Sequence, residues 1–231
     1  SRQEGRAVGI VAGVRTSPLS GGAILFIRSM GTRGSLGGLS HKTADAVKAL
    51  DAFGRDIIFV ETVGVGQSEV DIVKAADTTM VVLIPGMGDD IQAIKAGILE
   101  IGDVFAINKA DHDGADKLVT EINMMLDLDG VMKEWRPPIQ KVIANQNIGV
   151  TEIISLIEKH HEHIKANGQL TQKRTERTRN EMLDILNSGI GSYITRNIVD
   201  NGKLDELVKD IKAHKTDPYT VVGNIMRSML K

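Results

Sequence analysis

The sequence contains no cysteine, which removes disulfides, thiolate zinc sites and thiol nucleophiles together and is compatible with a reducing compartment. A strong charge of either sign is also missing. The net charge of −2 at pH 7 supplies no global attraction to nucleic acid or to an anionic membrane. Long apolar runs are absent too: stretches such as Met80 to Ile84 fall far short of the roughly 20 residues that span a bilayer. The opening residues, Ser1 to Arg6, are polar and carry neither the apolar core nor the cleavage pattern of a secretory leader. These absences lead to the expectation of a soluble, cytoplasmic protein with no membrane and no nucleic-acid partner. What is present is 231 residues of 42 % hydrophobic content, enough for one medium-sized domain and an appendage.

Between residues 7 and 165, short β-branched apolar runs alternate with longer amphipathic stretches, the pattern of strands joined by crossover helices. The runs are Ala7 to Ala12, Asp56 to Glu61, Thr78 to Ile84, Val104 to Asn108 and Gln140 to Ala144. Helical spacing marks His41 to Phe53, Ser68 to Ala75, Asp90 to Glu100, Gly114 to Met125 and Thr151 to His163. The reading is an α/β fold, a doubly wound and mainly parallel sheet, in which ligands bind beyond the carboxyl ends of the strands. From about Gly168 strand signals stop. The spacing predicts a charged helix opening near Lys173, a second at Lys203 to His214 with Leu204, Leu207 and Ile211 in one stripe, and a third from Tyr219 to Leu230 after Asp217-Pro218. The domains are therefore drawn at 1–167 and 168–231.

Asn108-Lys109-Ala110-Asp111 follows the apolar strand Val104 to Ile107, and this N-K-x-D pattern suits a guanine base. Guanine offers its N1 and N2 hydrogens side by side, and a two-oxygen carboxylate at Asp111 accepts both. Asn108 would brace the loop and contact the purine, while the aliphatic stem of Lys109 lies along the ring. A polar strand-end turn is the plainer alternative. A second signal, Glu61-Thr62-Val63-Gly64-Val65-Gly66-Gln67-Ser68-Glu69, directly follows another apolar run. A carboxylate at Glu61 is placed to hold magnesium, and Gly64 to let a backbone amide reach the γ-phosphate. The segment through Gln67 and Glu69 then resembles a nucleotide switch, against the alternative of a glycine-rich β–α turn. The weaker third piece is Ile143-Ala144-Asn145, whose backbone amides could meet the guanine oxygen. The order of the three pieces points to GTP or GDP with Mg2+.

The phosphate loop pattern G-x-x-x-x-G-K-[ST] does not occur, since Gly202-Lys203 is followed by Leu204 and lies in the helical tail. Ser1 to Gly5 reads as the end of a helix, so that loop is expected ahead of Ser1. His160, His161 and His163 read as a solvated helix face and not as a metal site. The basic run Lys173 to Arg179 is broken by Glu176 and lacks aromatics, which suits a solvated helix better than a nucleic-acid surface. Trp135 is expected to pack the loop before the last strand.

Thr16 to Leu25 (TSPLSGGAIL), Phe26 to Gly38 (FIRSMGTRGSLGG), ETVGVGQSE and the segment from Asn108 to Asp116 together resemble the MeaB/ArgK family over nearly the whole chain, tail included. These are G-protein chaperones of cobalamin-dependent methylmalonyl-CoA mutase and related acyl-CoA mutases. The resemblance implies a P-loop NTPase-like fold, magnesium-dependent GTP hydrolysis coupled to loading or protecting the mutase cofactor, and a tail that forms a homodimer. It also implies a second mobile loop, with Asp89, Asp90, Gln92 and Lys95, that reports nucleotide state to the mutase. Without the resemblance that loop is a Pro-Gly turn and a helix capped by Asp89. Two departures stand out: Val14-Arg15 replaces the family's Asp-Pro after the first strand, and Leu25 runs straight into Phe26 where the family has a charged switch stretch. A non-hydrolysing mutase-binding module and a kinase of basic amino acid transport are the competing readings.

Overall fold

β5, Val104–Ile107, is buried at all four positions and orders everything around it. The computed structural model describes residues 7–16, 23–31, 38–62, 75–86, 98–128 and 134–229. Their elements run β1 Ala7–Thr16, β2 Ala23–Gly31, α1 Gly38–Ala52, β3 Ile57–Thr62, β4 Met80–Leu83, a helical turn α2 Ile98–Ile101, β5, α3 Ala115–Leu128, β6 Ile139–Lys141, a 3-10 turn Ala144–Gln146, and α4 Val150–Ala166. α5 Gln169–Ile194, a π turn Thr195–Val199, α6 Lys203–Lys212 and α7 Pro218–Met229 follow. The chain divides into two units, Ser1–Arg177 and Thr178–Lys231, and the division falls inside α5.

In the first unit β4, β5 and β6 pair parallel in that order, with Leu83, Ile107 and Lys141 aligned at their carboxyl ends. Successive strand residues point to opposite faces, so β5 feeds two cores. Phe105 and Ile107 pack with Leu83, Ala115, Leu118 and Ile122 under α3. Val104 and Ala106 pack with Val142 and Ile153 under α4. Each fully buried large side chain here contributes about 1.5–3 kcal/mol relative to exposure, which is why a four-residue strand can anchor both layers. Helices on both faces of a parallel sheet are what the alternating pattern of the sequence implied.

The other sheet is not part of the mainly parallel arrangement expected from the sequence. Its order is β2-β1-β3, and both pairings are antiparallel. β2, which the sequence reading did not assign, is separated from β1 by six residues, too few for the crossover that parallel neighbours need. It therefore folds back on β1, with Thr16 opposite Ala23. β2 and β3 consequently run in the same direction on either side of β1, and α1 is their crossover. The predicted helices at 68–75 and 90–100 fall largely on residues 63–74 and 87–97, outside the described residues.

The second unit is helical. Gly202, at φ 71°, starts α6, and the Asp217 carboxylate caps α7 by accepting from the amides of Tyr219 and Thr220 at 2.9 and 3.0 Å. Those bonds, with the one from the Thr220 hydroxyl first among them, hold the Asp217 carboxyl below its usual pKa range. Among the described residues of this unit Ile198 is the one buried large hydrophobic side chain, while Met182, Leu183, Leu186, Ile190 and Tyr193 are exposed.

Candidate functional site

The carboxyl ends of β5 and β6 form one braced rim. The Asn108 amide donates to the Leu83 carbonyl at 2.8 Å, and the Val142 amide donates to Ile107 at 2.8 Å, so the chain leaves both strands at the same level. Beyond that point the two loops are tied to each other. The Ala110 amide donates to the Val142 carbonyl at 3.1 Å. The Asn108 side-chain oxygen accepts from the Lys109 amide at 2.8 Å and, across the gap, from the Ala144 amide at 3.2 Å. Lys109 takes a left-handed φ of 55°, and the His112 amide returns to the Lys109 carbonyl at 3.0 Å, so the turn is closed on itself.

The second loop is a ring. Ile143 and Ile148 exchange backbone bonds of 2.9 and 3.2 Å around the turn Ala144–Gln146, with Asn147 left-handed at φ 58° and Gly149 at φ 75°. Asn108, Lys109, Asp111, Ile143, Ala144 and Asn145 are thus brought together on two tied loops. The Asp111 side chain is 45 % exposed, with the His112 ring nitrogen 4.0 Å away. Its carboxylate is open to a ligand.

Glu61 stands elsewhere in the described structure. It lies near the carboxyl end of β3, opposite Ile10, and is exposed. It belongs to the antiparallel sheet, whereas the rim belongs to the parallel one. Gly64, Gln67, Glu69, Asp89, Asp90, Gln92 and Lys95 lie outside the described residues. Among the described residues no group of three His, Cys, Asp or Glu could hold a metal ion. Magnesium keeps several waters and is commonly held through one or two carboxylates, so its binding does not require such a cluster.

At the opposite, amino-terminal end of the parallel sheet lies a network the sequence reading missed. The Asp103 carboxylate accepts from the Thr79 amide at 2.8 Å and sits 3.3 Å from His160 Nε2, while His160 Nδ1 is 2.9 Å from the Thr78 hydroxyl. His160 is 2 % exposed, which corrects the solvated-face expectation for that residue. The phase of α4 carried the signal: Ile153, Ile157, His160 and Ile164 follow one helical stripe. Trp135 packs here as expected, its indole donating to the Asp103 carbonyl at 2.8 Å and its ring lying 5.0 Å from that of His160. Burial opposes ionisation of Asp103, but bonds from His160 and Thr79 and the nearby charges of His160 and Lys173 outweigh it and hold the carboxyl below its usual range.

Beside it, Asp77 is gripped by Arg174 at 2.7 Å and Arg177 at 3.1 Å. Burial again works against the charge, and the two guanidiniums overcome it, so this carboxyl is lowered as well. The same pairing raises Arg174. Part of the basic run therefore has a structural task at the start of α5.

Comparison with known proteins identifies the family. The family model for the methylmalonyl-CoA mutase-associated GTPase MeaB matches residues 1–198. A candidate GTPase of Pyrococcus abyssi is 44 % identical over 248 aligned positions, covering 100 % of this chain and 76 % of the relative. Since the chain has 231 residues, that relative carries residues inside the match that this one does not. GTPase ArgK of Escherichia coli is 32 % identical over 195 positions, covering 76 % of this chain and 59 % of ArgK. Among solved structures, that of the LAO/AO transport system kinase matches with a TM-score of 0.60 at 23 % identity, covering 84 % of this chain and 64 % of its own. That last likeness is one of fold, and it agrees with the P-loop α/β class expected from the sequence. No helix among the described residues is long and apolar enough to cross a membrane.

Proposed function

The chain belongs to the MeaB family of methylmalonyl-CoA mutase-associated GTPases, and on that premise we propose that its rim binds the guanine base of GTP and GDP. One observation carries the reading: Asn108 holds two loops at a fixed separation and leaves the Asp111 carboxylate exposed between them and solvent. A carboxylate is the acceptor that takes both the N1 and N2 hydrogens of guanine, and adenine has no such pair of donors. The bracing bonds are backbone-directed, so the rim is formed before any ligand arrives and little ordering remains to oppose binding.

In this reading the protein hydrolyses GTP and uses the change to assist cofactor loading and protection of a cobalamin-dependent acyl-CoA mutase, methylmalonyl-CoA mutase being the one the family description names. Magnesium, when bound, neutralises charge on the β- and γ-phosphates. Glu61 would contribute the carboxylate that orients it, and Asn108, Lys109 and Asp111 would fix the nucleotide by its base. Gly64, Gln67 and Glu69, and Asp89, Asp90, Gln92 and Lys95, would carry nucleotide state to the mutase. The exposed side chains of Leu183, Leu186 and Ile190 favour a tail that closes on a second copy of the chain.

Hydrolysis of GTP by the full-length protein, with and without magnesium, tests the activity. Glu61→Gln is expected to lower kcat by about tenfold or more, which is about 1.4 kcal/mol of barrier. A full rate in that variant would remove Glu61 from the site. Sedimentation of the full-length protein tests the dimer, and a monomer at micromolar concentration would exclude it.

A further inference from the structure

We propose that Gly149 is a positioning residue for the guanine rim, set beneath it and touching no ligand. The inference rests on the base-site reading and adds the residue that controls the shape of that site. Gly149 precedes α4 with φ 75°, a left-handed backbone that L side chains rarely adopt. A Cβ at this position would lie 2.3 Å from the Lys141 carbonyl oxygen, 3.1 Å from Val142 Cγ1 and 3.2 Å from Val142 Cα. The obstacle is thus mainly strand-end backbone, which cannot rotate out of the way as a flexible side chain would.

The peptide that would have to move is the tie between the two loops. Val142 is fixed on one side by its amide bond to Ile107, and its carbonyl receives the Ala110 amide of the Asp111 loop. The next residue, Ile143, opens the ring whose Ala144 amide is held by Asn108. A side chain at Gly149 is a wedge under this peptide, and it shifts Asp111 and the 144–145 backbone together. The missing methyl group is therefore part of how base recognition is built. A plainer role, as the residue that starts α4, affects helix stability and leaves the choice of base alone.

The two roles separate in one experiment. Affinities of full-length wild type and Gly149→Ala for GDP and ADP are measured by titration calorimetry well below the thermal midpoint of each, with circular dichroism to establish that the helices are retained. The expected result is a GDP-over-ADP preference reduced at least tenfold in a folded variant. Where Gly149→Ala does not fold, Asn147→Ala, at the other left-handed position of the ring, takes its place with the same expectation. A folded variant that keeps the wild-type preference overturns the proposal. A wild-type protein with no preference for GDP over ADP sinks the base-site reading itself, and this inference with it.

Discussion

Replacing Asp111 by asparagine is the sharpest test of the site, because the swap keeps the shape and exchanges one acceptor oxygen for a donor. The carboxylate offers two acceptors to the N1 and N2 hydrogens of guanine. Each charge-assisted bond is worth about 1.5–3 kcal/mol. Asp111 is 45 % exposed, so the low end of that range applies: the bond lost costs about 1.5 kcal/mol and the new donor facing the N2 hydrogens about as much again, together about two orders of magnitude in Kd. Xanthine presents N1–H beside a carbonyl where guanine has its amine, and an asparagine carbonyl and amide can meet that pattern. The turn should survive, since its bonds run from the Ala110 amide to Val142 and from the His112 amide to Lys109 without using the Asp111 side chain. Competition titration with GDP, XDP and ADP should show GDP falling roughly 100-fold and XDP rising above it. A folded Asp111→Asn protein that still prefers GDP, or that loses GDP without gaining XDP, would refute the assignment.

The network at the other end of the sheet makes pH-dependent predictions. The folded-state pKa of Asp103 lies below its unfolded value, so its stabilisation is present above the unfolded pKa and is lost as pH falls through the folded one. Asp103→Asn should cost about 1–3 kcal/mol at pH 7, with the cost shrinking progressively as pH falls below the unfolded carboxyl range, measured by urea unfolding across an acid series; a loss that stays constant down the series would mean the charge is irrelevant. Asp77 has the same sign of shift, and Asp77→Asn should speed hydrogen exchange in residues 169–177 above pH 5 by several-fold, corresponding to about 1 kcal/mol. Unchanged exchange there would leave the Arg174–Asp77–Arg177 grip without a structural role.

What could be read from the sequence divides along physical lines. The second sheet was legible because its signals are local: the buried run Val104 to Ile107, the period of α3 and the strand-end position of Asn108 each follow from near neighbours. In the antiparallel first sheet the runs of β1 and β3 were legible, but β2 and the direction of pairing were not, because pairing is a long-range choice. His160 was misjudged for a related reason. Charged neighbours such as Lys159 and Lys165 suggested a wet face, whereas the partners that keep its ring buried, Thr78 and Asp103, lie far away in sequence. The Asn108 loop was found by its residue types, but its brace to Ala144 and the steric need for Gly149 required coordinates.

The two polar clusters also bear on each other through what separates them. Asp103 and Asn108 flank β5, and its four residues at about 3.3 Å each set the carboxylate network and the base rim more than 10 Å apart. Between them lies a strand buried on both faces, with Phe105 and Ile107 locked under α3 and Val104 and Ala106 under α4. Sites at that distance with no shared partner usually combine additively to within about 0.5 kcal/mol. Loss of the Asp103 charge should therefore lower stability in acid-sensitive fashion while GDP discrimination stays intact. Loss of the Asp111 carboxylate should change the preferred base while the acid limb of the unfolding curve stays where it was. If the double variant instead departs from the sum of the two, β5 is transmitting strain along its length, and the rim cannot be treated as a site braced by its own loops alone.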